Sequence, residues 1–215
     1  VRRPEVGKPQ NAVFFFNRGV NKFLAEDYKG AIADYTQALK LDAKYTDAYI
    51  ARGEARRLSG DVPGAIEDST QALKLDPKAL DAYINRCAAR YDLRDFRGAI
   101  EDCTEALKLN PNDADAYYNR GLARRDLELV EEAMTDFQQS AQLYQQQLEE
   151  ARRQAATETG INSSSRQPPA LPAQPPLLPP RAGTPVMSIP RAIRGGPGKP
   201  RGRGIPGRRE PAGTR

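Results

Sequence analysis

At 215 residues with a net charge of +5 and no histidine, the chain has length for one or two domains but lacks the commonest general base, nucleophile activator and metal ligand. Two cysteines cannot furnish a disulfide framework or a zinc ligand set, and no apolar run reaches the roughly eighteen residues needed to cross a bilayer. No glycine-rich loop joins a strand to a helix to cradle phosphate, so the expectation is a protein that is no enzyme and takes no cofactor.

The charge is unevenly spread. Residues 1–150 hold 21 Lys+Arg against 26 Asp+Glu, a net of −5, whereas residues 151–215 hold 12 against 2, a net of +10. Thirteen of the 18 prolines fall in that second stretch, which has no aromatic residue from which to build a core. The acidic part is therefore the expected folding unit and the basic part the expected disordered one.

In chain order, residues 1–11 form a short extension without a charged-then-apolar leader. The first residue, Val1, fits an unusual start codon, a removed leader or a fragment, and the cytoplasm is the default location. From Ala12 a period of 34 residues sets in without insertions, giving units at 12–45, 46–79, 80–113 and 114–145. Ala31-Ile32 returns as Ala65-Ile66, Ala99-Ile100 and Ala133-Met134. The fourth position of each unit reads Phe15, Tyr49, Tyr83 and Tyr117, the eighth Gly19, Gly53, Cys87 and Gly121, and the twenty-seventh Ala38, Ala72, Ala106 and Ser140. Each unit splits into two amphipathic helices, for example Thr46 to Ser59 and Pro63 to Asp76. Pro63 suits the start of a helix, and Pro77 and Pro111 close one unit and open the next. One such helix pair cannot bury its apolar stripe alone, so the units must stack.

With an aromatic at position 4, Gly at 8, Ala at 20 and 27, and Pro at 32, the chain resembles the tetratricopeptide repeat family across residues 12–145. Tyr117 to Gly121, echoed by Phe15 to Gly19, is similar to a bacterial subclass. The resemblance implies an all-α solenoid that acts as a scaffold or adaptor for a protein or peptide partner. Two departures recur in every unit. Arg18, Arg52, Arg86 and Arg120 stand at position 7 and Lys22, Arg56, Arg90 and Arg124 at position 11, while Asp34, Asp68, Asp102 and Asp136 hold position 23. A side chain repeated four times serves the repeat, and an Arg–Asp ladder between neighbouring helices is expected, with ligand binding as the other reading.

The resemblance also places groove-facing side chains at positions 2, 5, 6, 9, 12 and 13. Position 5 supplies Phe16, Ile50, Ile84 and Tyr118, an apolar rail for a peptide or helix unless these residues pack internally. Position 6 supplies Asn17, Asn85 and Asn119, carboxamides suited to a peptide backbone, and position 12 supplies Phe23, Arg57, Tyr91 and Arg125. Asp47, Asp81 and Asp115 at position 2 read either as first-turn charges favoured by the helix dipole or as ligand contacts. The clamp by which relatives hold the acidic C-terminal tail of large chaperones needs Lys, Asn, Asn, Lys and Arg at set positions. Here those positions offer Phe16, Val20, Ala51, Asp81 and Asn85, or one repeat later Ile50, Glu54, Asn85, Asp115 and Asn119, so that partner is not expected.

Cys87 and Cys103, at positions 8 and 24 of the third unit, are expected as buried free thiols, a bridge between the facing helices being the alternative. The fourth unit lacks its closing proline, having Gln145 there, so its second helix should continue through 146–158 and cap a monomeric solenoid, or else meet a second chain. Beyond it, residues 159–215 begin with a proline-rich spacer in which Pro176 to Arg181 matches a P-x-x-P-x-R pattern. Arg194, Arg201, Arg203, Arg208 and Arg209 then offer charge for nucleic acid or another anionic surface, the alternative function, or for the acidic solenoid itself.

Overall fold

The computed structural model describes residues 11–158, and among these there are eight α-helices. They are α1 (Ala12–Leu24), α2 (Tyr28–Leu41), α3 (Thr46–Leu58), α4 (Val62–Leu75), α5 (Leu80–Asp92), α6 (Phe96–Leu109), α7 (Ala114–Asp126) and α8 (Val130–Glu158). The odd-numbered helices open each repeat and the even-numbered ones close it, so the 34-residue period becomes a stacked row of helix pairs. α8 runs on for 29 residues, about twice the length of its counterparts, through a segment that has no proline and is rich in strong helix formers. The expected disordered tail at 159–215 lies outside the described residues.

Local chemistry explains the boundaries. Asp27, Asp61 and Asp95 cap the second helix of their repeats, each accepting from the backbone N–H of a glycine three residues on, Gly30, Gly64 or Gly98, at 2.9–3.0 Å. Asn11 and Asp113 cap α1 and α7 in the same way. Between repeats, Asp42 and Asp76 fold back onto the N–H groups of Lys44 and Lys78, which turns the chain into the next helix pair.

The core runs along the row as linked clusters. Phe16, Phe23, Ala31, Tyr35, Ala38 and Leu39 fill the first repeat and reach Ala48, Ala51 and Ala55 of the second. Ile50 then packs with Ala72, Leu73 and Ala82, and Ile84 with Ala106, Leu107 and Ala116, each cluster joining one repeat to the next. Small residues thus let helices approach and larger ones fill the gaps.

One expectation is overturned within the third repeat. Cys87 and Cys103 are not free thiols but a disulfide joining α5 to α6, with Cα atoms 5.6 Å apart. The reason is positional: the same pair of positions brings Gly19 against the ring of Tyr35 in the first repeat and Gly121 against that of Phe137 in the fourth.

Candidate functional site

The position-7 arginines form the expected ladder. Arg18, Arg52, Arg86 and Arg120 each donate through Nε and Nη2 to both oxygens of Asp34, Asp68, Asp102 and Asp136, at 2.5–2.9 Å. Lys22, Arg56, Arg90 and Arg124 add a second cation to the same carboxylates at 2.7–3.0 Å. In the last three repeats Nη1 also donates to a threonine of the preceding repeat, Thr36, Thr70 or Thr104, at 3.1–3.3 Å. Each guanidinium further lies 5.1–5.8 Å from the ring at position 4. The ladder ties helices and repeats together and leaves the other face of the first helices for contact.

That face forms where α3, α5 and α7 pack on one another. Arg57 of α3 is buried and donates to Glu54 of its own helix and to Asp92 of α5, both at 3.1 Å. Burial pushes the Glu54 carboxyl up from its ordinary range, with Asp92 and Asp115 adding to the shift and Arg57 opposing it. For Arg57 burial works against the charge, but the attraction of Glu54 and Asp92 prevails and raises its pKa. One repeat on, the Tyr91 hydroxyl donates to Asp126 at 2.7 Å and accepts from Arg125 at 3.3 Å, while Arg125 Nε donates to Asp126 at 2.8 Å. Burial, then Asp126, push the Tyr91 phenol up to about 12. Tyr118 is half-buried, its ring 5.7 Å from that of Phe137, and Tyr144 of α8 donates to Asp115.

The structure separates the residues expected in the groove into two groups. Phe16, Ile50 and Ile84 lie in the core at 3–6% exposure, so position 5 is not an open apolar rail in the first three repeats. The approach of the neighbouring helices covers them, and only Tyr118 remains partly accessible. Asn85 and Asn119 are buried as well, and Asn85 donates to the Ile50 carbonyl at 3.3 Å, so it ties α5 to α3. Asn17 is exposed. Arg57 is part of the buried network, whereas Tyr91 and Arg125 retain accessible edges. The sequence marks Glu54 only as a mismatch to the chaperone-tail clamp and does not single out Asp92 and Asp126, although they directly follow Tyr91 and Arg125 at a groove-facing position. Arg194, Arg201, Arg203, Arg208 and Arg209 lie outside the described residues.

A row of stacked helix pairs tied by a recurrent Arg–Asp ladder defines a repeat-array scaffold. The sequence model of the family described as tetratricopeptide repeat matches residues 17–85 and 89–148, and the chain belongs to that family. No curated protein sequence matches it significantly. Among solved structures, that of MamA is similar at 22% identity and a TM-score of 0.60, covering 66% of this chain and 83% of that one. The tetratricopeptide domain of Arabidopsis OM64 is 26% identical with a TM-score of 0.53, over 54% of this chain and 95% of that one. The first such domain of Spaghetti (RPAP3), solved with the HSP90 peptide SRMEEVD, is 26% identical with a TM-score of 0.54, over 55% and 97%. No helix among the described residues is long and apolar enough to cross a membrane.

Proposed function

We propose that the chain is a scaffold that grips a peptide or helix of a partner protein on the face made by α3, α5 and α7, anchored at Tyr91, Tyr118 and Arg125. The observation that carries this reading is the arrangement of those three side chains. They are partly exposed, they come from the packed helices α5 and α7, and Tyr91 and Arg125 are held by Asp126. Aromatic and arginine side chains immobilised before binding lose little entropy on contact. The buried Glu54–Arg57 pair, with Arg57 also reaching the exposed Asp92, ties α3 to α5.

The partner differs from the acidic peptide held by Spaghetti (RPAP3). Asp81 and Asp115 occupy positions where a clamp for a terminal carboxylate requires lysine. A peptide-display selection against the full chain tests the reading. Enriched peptides should lose at least about tenfold in affinity for a Tyr91→Ala, Arg125→Ala variant whose helical signal and melting are retained. Peptides that bind the variant equally well would place the binding surface elsewhere. The alternative, nucleic acid held by the arginines beyond residue 190, rests on the +10 charge of residues 151–215. Binding of that kind weakens steeply with salt, unlike binding at aromatic anchors.

A further inference from the structure

At positions 8 and 24 the two helices of a repeat approach closely. In the first repeat a Cβ added to Gly19 would lie 2.7 Å from the Tyr35 ring, and in the fourth a Cβ on Gly121 would lie 2.8 Å from that of Phe137. The second repeat sets Gly53 beside Ser69, whose Oγ would be 3.4 Å from such a Cβ. All three use the same device, a glycine that admits the side chain opposite. The third repeat has neither half of it: Cys87 replaces the glycine and Cys103 the filler. Joined to each other, the two sulfurs occupy the space that a ring or hydroxyl fills elsewhere.

Both cysteines have 0% exposure and sit among Ala99 and Ala123, with Tyr91, Phe96 and Ile100 packed around them. Thiol–disulfide exchange needs an attacking thiolate to reach a sulfur, so the folded repeat shields the bond from dissolved thiols. Once the helix pair has packed around it, such a bond persists. A regulatory disulfide requires the opposite, an exposed sulfur.

We infer that Cys87–Cys103 is a permanent structural disulfide installed during folding, and that the chain works in an oxidising compartment, not the reduced cytoplasm that is its default assignment. The oxidant is the disulfide of a thiol–disulfide oxidoreductase. One cysteine thiolate attacks it, forming a mixed disulfide and expelling one oxidoreductase thiolate. The second cysteine thiolate then attacks the chain's own sulfur and expels the other. The two cysteines lose two protons and two electrons, and the oxidoreductase leaves as a dithiol. Reducing compartments reverse this balance, and disulfides of this kind are rare there.

The test is to quench the source cells in acid, denature, and label free thiols of the full chain with a bulky maleimide. Full protection of Cys87 and Cys103, with labelling only after prior reduction, is expected. Labelling of both cysteines without reduction would overturn the proposal. A second measurement compares the purified oxidised chain with a Cys87→Gly, Cys103→Ser variant, which copies the Gly53–Ser69 pair of the second repeat and so preserves a packing that already folds. The variant should melt lower by roughly 10 °C, and reductant should lower the wild type only after prolonged exposure. Equal melting of oxidised, reduced and variant chains would show that the bond is no staple, and would equally defeat the inference.

Discussion

Arg86 illustrates how one residue type is fixed by a neighbourhood. Its guanidinium satisfies both oxygens of buried Asp102, reaches Thr70 in the preceding repeat and covers the Tyr83 ring. Arg86→Leu strands the Asp102 carboxylate with Arg90 as its remaining cation, and should cost about 2–3 kcal/mol in urea denaturation. Among the described residues Arg18 meets no threonine of the kind that Arg86 reaches, and its side chain is 45% exposed, so Arg18→Leu should cost less in the same assay. Glu54 gives a pH signature. Its folded pKa is raised, chiefly by burial, so its contribution to stability is fully present below the unfolded pKa and is lost as pH rises through the folded value. Against a Glu54→Gln variant, the wild type should therefore gain relative stability as pH falls from 7 to about 4, measured by thermal melting at each pH. A constant difference would show that the carboxyl titrates normally.

At the scale of the helix pair, the turns carry a correctable cost. Glu26, Arg94 and Glu128 adopt φ of 60–63°, and Gly60 at the equivalent place in the second repeat adopts 92°. Only glycine takes the left-handed region freely, so Arg94→Gly and Glu128→Gly should each stabilise by about 0.5–1 kcal/mol, and Gly60→Ala should destabilise by a similar amount. Denaturant midpoints at unchanged slope would establish this. The helices themselves were legible in the sequence to within a residue: the expected Thr46 to Ser59 is Thr46–Leu58, and Pro63 to Asp76 is Val62–Leu75. The 34-residue period and the proline punctuation carried that information. The positive φ values were not legible, because glutamate and arginine stand where the turn asks for glycine.

Across the whole molecule, the first repeat departs from the pattern of those that follow. Position 3 is Ala48, Ala82 and Ala116 in the later repeats, each with 0% exposure against the preceding pair, but Phe14 in the first, where it is 45% exposed. At the far end, Leu39, Leu73 and Leu107 of position 28 are buried, whereas the equivalent Ala141 is exposed. Among the described residues, these two positions meet solvent where their counterparts in the other repeats meet a neighbouring helix pair. Ala82→Phe should therefore wedge the second and third repeats apart at a cost of about 3 kcal/mol or more, while Phe14→Ala should change stability by about 0.5 kcal/mol or less. Comparable losses for both, read by calorimetry, would mean that Phe14 is packed as tightly as an internal residue.

The periodicity of the sequence by itself determined the repeat number, the helix pairing and the Arg–Asp ladder, because each of these recurs at a fixed offset and a regular stack converts offset into contact. The tertiary structure alone decided which potential groove residues remain accessible. Phe16, Ile50, Ile84 and Tyr118 share one repeat position, yet neighbouring helices bury the first three and leave Tyr118 partly open. It likewise turned Cys87 and Cys103 from two expected thiols into a bond, since positions 16 residues apart pair only when two antiparallel helices bring them together. The physical difference is range. Local spacing specifies a helix and its stripe, but accessibility and cross-linking depend on how closely separate helices approach, which packing sets.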